Sequence, residues 1–123
     1  MNGITSNREA CMDVSVTSRA LGDRNVIDVA GEIDVYTAPA LRQRLAALLD
    51  QGRADLVVDL SRVTFMDSTG LGVLVGALKR VRGLDGRLVL VLDQDRILKV
   101  FRITGLTQLF TICANLDDAL AAE

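Results

Sequence analysis

A chain of 123 residues, half of them hydrophobic, forms one domain and buries roughly two thirds of the surface it exposes when unfolded. With three Phe and one Tyr, its core must be built from Leu, Val, Ile and Ala, which suit tight helix-on-sheet packing. The net charge of −2, arginines scattered along helical faces, a longest apolar run of only Gly70 to Leu78 and a polar N-terminus argue against nucleic-acid binding, membrane spanning and a signal peptide. We therefore expect a soluble cytoplasmic protein without membrane partners.

Residues 1–11 carry no pattern and read as a flexible tail, so the folded domain is expected over 12–123. Met12, Val14 and Val16 alternate with Asp13, Ser15 and Thr17, the period of a strand with one solvated face. Turn residues from Leu21 to Asn25 lead into a second strand, Val26 to Ala30. A Gly31-Glu32-Ile33-Asp34 loop follows. Thr37 or Ala38 then caps a helix with Pro39 in its first turn, a core stripe of Leu41, Leu45, Leu48 and Leu49, and Gly52 at its end. Leu56 to Leu60 is a nearly continuous apolar run, the mark of a strand covered on both faces. A loop, Ser61 to Asp67, precedes a second helix over Thr69 to Arg82, with Leu71, Leu74, Val75, Leu78 and Val81 inward. Leu88 to Leu92 is a further strand, and Arg96 to Thr104 a third helix with Ile97, Leu98 and Phe101 inward, stopped by Gly105. Leu109 to Cys113 suits a short edge strand, and Asn115 caps a last helix with Asp117 and Asp118 at its positive end.

The order β-β-α-β-α-β-α-β-α implies right-handed parallel crossovers. The expected fold is α/β, a mixed sheet of four or five strands packed with about four helices. Periodicity leaves open whether the helices cover one face or both. If the second and third strands are parallel neighbours, the loops that follow them share the end of the sheet where open α/β folds place their sites.

Phe65-Met66-Asp67-Ser68-Thr69-Gly70-Leu71-Gly72 is the informative stretch. Ser68 stands where an N-cap is expected. A hydroxyl at a helix N-terminus is also suited to carry a phosphate, whose charge would meet unsatisfied N–H groups there. Such a dianion beside Asp67, Glu32 and Asp34 would repel an acidic or ATP-bearing partner without disturbing the fold. Gly72 and Gly76 each cost the helix about 1 kcal/mol relative to Ala; they serve either close backbone packing or a flat patch for a partner. Glu32 and Asp34 fit a solvated turn or a contact surface. Tyr36 fits an interface or half-burial against Pro39.

Catalysis is not expected. The chain has no His, which removes the commonest general base and metal ligand. Lys79 lies three turns from Ser68, and Lys99 is on another helix. The Gly70-to-Gly76 run misses the dinucleotide fingerprint by one residue, and no phosphate-binding GxxxxGK[ST] loop occurs. Cys11 and Cys113 read as free thiols without metal spacing. We expect neither cofactor nor metal.

Val29-Ala30-Gly31-Glu32-Ile33-Asp34-Val35-Tyr36-Thr37-Ala38-Pro39, then Asp67-Ser68-Thr69-Gly70-Leu71-Gly72-Val73-Leu74, then Phe101-Arg102-Ile103-Thr104-Gly105-Leu106 closely resemble the anti-sigma factor antagonists, the founding branch of the STAS domains. The resemblance runs from about Asp13 to the C-terminus. It implies the STAS fold and a partner switch in stress response or sporulation. The unmodified chain would bind an anti-sigma factor, itself a serine kinase of the histidine-kinase-like ATPase fold, and so release a sigma factor. It further implies phosphorylation at Ser68, with Thr69 a secondary candidate, and reversal by a PP2C-type phosphatase. Glu32, Asp34, Tyr36, Asp67, Ser68, Thr69, Gly70 and Gly72 would then form the partner surface. Rival expectations are a non-switched scaffold that self-associates and a small-ligand or nucleotide sensor.

Overall fold

The computed structural model describes residues 14–122, so the expected tail and Cys11 lie outside it. β1 (Val14–Leu21) and β2 (Arg24–Ile33) form an antiparallel hairpin. Its two-residue loop carries Gly22 at φ +63° in the first central position, a conformation that glycine adopts without steric cost. β3 (Asp55–Met66), β4 (Arg87–Val91) and β5 (Thr111–Cys113) continue a five-stranded sheet of order β1-β2-β3-β4-β5, parallel from β2 onward. α1 (Ala38–Asp50), α2 (Ser68–Gly83) and α3 (Asp95–Ile103) join the parallel strands, a 3-10 turn at Leu106–Gln108 precedes β5, and α4 (Leu116–Ala121) ends the described chain.

Two expected loops are strand. β2 runs on past Ala30 to Ile33, and β3 runs on past Leu60 to Met66. The pairing shifts register between Asp28 and Ala30 and again between Gly31 and Glu32, so that Asn25 to Ile33 lies against the longer segment Leu56 to Met66. These bulges reset the alternation: the buried residues at the end of β3 are Leu60, Val63 and Met66, three apart instead of two. A period-two reading sees no strand there. β4 pairs with β3 only as far as Asp59. Beyond it, the Gln94 side chain donates to the carbonyls of Leu60 at 2.9 Å and Val63 at 2.7 Å, giving partners to backbone groups that lack a neighbouring strand.

Helices cover both faces. On one, Leu41, Leu45, Leu48 and Leu49 of α1, Leu71, Leu74, Leu78 and Val81 of α2, and Ile97 and Phe101 of α3 pack with Ile27, Val29, Leu56, Val58, Leu88 and Leu90. Val75 and Leu98, expected inward, are half-buried. The alternate strand residues Val26, Val57, Val89 and Val91 face the other way, onto Ala119 of α4. Asn115 caps α4 as expected, accepting the Asp118 N–H at 2.8 Å.

The Arg24 guanidinium holds the far end of α4. It donates to the carbonyls of Ala119, Leu120 and Ala122 at 2.7–2.9 Å, while Asp55 accepts from Arg87 at 3.0 Å and lies 3.5 Å from Arg24. Helix C-terminal carbonyls need such donors. Arg24→Ala is expected to lower stability by about 2 kcal/mol in urea denaturation, the scale of charge-assisted hydrogen bonds lost from a partly buried site. Among the described residues, no helix is long and apolar enough to cross a membrane.

Candidate functional site

Because β2 and β3 are parallel, their C-terminal ends lie together. Glu32 stands opposite Phe65 and Ile33 opposite Met66, and the Asp67 N–H donates to the Ile33 carbonyl at 3.2 Å. The two segments singled out in the sequence therefore meet at one end of the sheet.

The turn after β2 is tied by its own polar groups. Asp34 Oδ1 accepts the N–H groups of Tyr36 at 2.9 Å and Thr37 at 3.0 Å. Thr37 occupies the N-cap position of α1, yet its buried hydroxyl does not cap the helix. It turns back, donating to the Glu32 carbonyl at 2.7 Å and accepting the Asp34 N–H at 2.9 Å. Asp34 and Thr37 thus fix the loop and push its apolar residues outward. Tyr36 is 85% exposed and Val35 58%, so Tyr36 does not pack against Pro39. Phe65, 45% exposed beside Glu32, adds to this rim. Exposed large hydrophobic groups gathered at one site mark interaction surfaces. Val35 and Phe65 escaped the sequence reading because Phe65 was assigned to a loop, where no face could be given to it.

The start of α2 differs from expectation in one respect. Asp67, not Ser68, is the N-cap: its extended backbone (φ −106°, ψ −173°) lets Oδ1 accept the N–H groups of Thr69 at 2.9 Å and Gly70 at 3.4 Å. Ser68 is the first helical residue and is exposed. Among the described residues its hydroxyl makes no hydrogen bond. Asp67→Ala is expected to cost about 1 kcal/mol, read as a lower melting temperature, whereas Ser68→Ala leaves it unchanged.

The glycines of α2 divide by role. A Cβ on Gly70 would lie 2.7 Å from Ile33 Cγ2 and 2.9 Å from Met66 Cγ, so Gly70 is buried and lets the helix start sit on both strand ends. It shapes the surface without being part of it. Gly72 and Gly76 are the reverse: both are exposed, and a Cβ at either meets nothing within 4 Å. Close packing within the domain does not explain them. Glu32, Tyr36, Ser68 and Gly72 are exposed, and Asp34, Asp67 and Thr69 are half-buried. Chemically the site offers an exposed hydroxyl over a helix N-terminus within an acidic and apolar rim. Among the described residues, no cluster of His, Cys, Asp or Glu could hold a metal ion.

A family model described as the STAS domain matches residues 15–119. The chain belongs to the STAS-domain family. This STAS domain is 44% identical over 104 residues to the anti-sigma-B factor antagonist of Bacillus subtilis strain 168, a match spanning 85% of the chain and 94% of that protein. Identity and coverage of that order place it in the anti-sigma factor antagonist branch. Its structure superposes on an anti-sigma factor antagonist from Mycobacterium paratuberculosis with a TM-score of 0.84 and 32% identity, over 91% of this chain and 95% of the other. The Bacillus cell fate determinant SpoIIAA, solved in its phosphorylated form, shares the fold at a TM-score of 0.69 and 24% identity, over 87% of this chain and 97% of that one.

Proposed function

We propose that this STAS domain is a cytoplasmic anti-sigma factor antagonist: unmodified, it binds an anti-sigma factor and frees a sigma factor, and a phosphate on Ser68 ends that binding. The observation that carries the reading is the exposed Ser68 hydroxyl on the first residue of α2, with the capping role already filled by Asp67. A phosphate there meets N–H groups and the positive end of the helix, so the fold accepts it. The names of the similar antagonists support the same partner class.

The partner is a serine kinase of the histidine-kinase-like ATPase fold, and a PP2C-type phosphatase resets the cycle. Glu32, exposed at the end of β2, and Tyr36, which projects from the loop, make contact with the kinase, together with the exposed Gly72 patch. Asp34 contributes by holding the loop through its Oδ1, leaving its other oxygen for the partner. The test is direct: incubate the chain with its cognate anti-sigma kinase and magnesium ATP, then locate the phosphate by tandem mass spectrometry. Phosphate on Ser68, with Thr69 a minor site, is expected; phosphate found only elsewhere overturns the assignment.

A further inference from the structure

The sheet-end site reaches, through Thr69 and Gly72, only one end of a trough of about 430 Å³ between α1 and α2. Its walls are Leu45, Ala46 and Leu49 on α1 and Val73 and Ala77 on α2. The volume falls among small-molecule sites, about 300–1,000 Å³. The trough stays open because Gly72 and Gly76 put no side chain into it. Neither glycine has a positive φ or a close neighbour, so nothing within the domain offsets their cost to the helix.

The two ends differ in charge. Both helices follow parallel strands and run in the same direction. Asp50, at the end of α1, pairs with Arg80, near the end of α2, at 2.8 Å and closes that end with matched charges. The other end is bordered by Thr69, in the first turn of α2, and by Arg42. Among the described residues Arg42 makes no ion pair or side-chain hydrogen bond. From Thr69 to Arg80 the helix rises about 16 Å.

We propose that this trough binds an acyl-chain carboxylate, its head group on Arg42 beside Thr69 and its chain lying over Gly72 and Gly76 alongside Ala46 and Val73. An anionic head on a guanidinium that is unpaired among the described residues and an aliphatic tail along an apolar floor satisfy both features at once. A nucleotide would leave polar groups unpaired against the apolar floor of Ala46, Gly72, Val73 and Gly76.

Titration calorimetry of the full chain with octanoate, decanoate and dodecanoate, below their micelle concentrations, tests this. Affinity is expected to rise by up to about fourfold for each methylene buried. Arg42→Gln should weaken dodecanoate binding about tenfold and leave dodecanol binding unchanged. Gly76→Leu sends its side chain into open space on a helix that gains propensity. It should hold the melting temperature at or above the parent's while abolishing binding of both ligands. Binding that ignores chain length, or that survives Gly76→Leu, overturns the proposal. So does a wild-type chain that takes up no fatty carboxylate; if Gly76→Leu then disrupts self-association or partner binding, the trough is a protein interface.

Discussion

Ser68→Asp is expected to weaken binding to the anti-sigma partner by about a hundredfold or more while moving the melting temperature by no more than a few degrees. The two effects separate because they act on different surfaces. A like charge set against a partner's carboxylates or bound ATP phosphates costs several kcal/mol, and each 1.4 kcal/mol is tenfold in affinity. Inside the domain the same carboxylate sits in the first turn of α2, where the helix dipole favours it by about 0.3–1 kcal/mol. Asp67 keeps its hydrogen bonds to Thr69 and Gly70 throughout. Paired calorimetric binding and melting curves, with Ser68→Ala as the uncharged control, read both quantities. A Ser68→Asp chain that binds as tightly as the parent would sink the switch, and one that melts far lower would sink the claim that the helix start tolerates charge.

Phe101→Ala should destabilise the domain by about 3–5 kcal/mol, the usual range for emptying a large core aromatic site. Phe101 is fully buried and stands edge-on to Phe110, with ring centroids 5.9 Å apart. With only three Phe in the chain, the surrounding Leu and Val side chains have little spare bulk with which to refill the space. Against a total of about 5–15 kcal/mol, the loss lowers the melting temperature by on the order of 10–20 °C. Urea denaturation should show a lower midpoint with an unchanged slope. Since Phe101 holds α3 against the face opposite α4, partner binding by the fraction that remains folded should be unaltered.

Where burial follows one period, the sequence is legible. The α1 stripe at Leu41, Leu45, Leu48 and Leu49 is buried as its spacing implies, and the parallel direction of β2 and β3 follows from the alternation of strands with helices. Reading failed where local geometry departs from that period. The bulges between β2 and β3 shift the side-chain count, so Gly31 to Ile33 and Ser61 to Met66 looked like loops although they pair as strand. Capping failed for a related reason. Asp67 and Ser68 are both good N-cap residues, and adjacent candidates cannot be ranked without knowing which one leaves the strand in an extended conformation. Thr37 hid its role because its hydroxyl bonds backward, to a carbonyl five residues earlier. Gly72 and Gly76 were the most ambiguous: spacing shows that two side chains are missing but not whether packed atoms or open solvent fill the gap.

That Asp67 alone starts α2 has a consequence for descent. Position 68 is spared any duty in capping, so a single codon change there can install, retune or erase the proposed acceptor without a compensating change elsewhere. Regulated and permanently active versions of such a module would then lie one mutation apart.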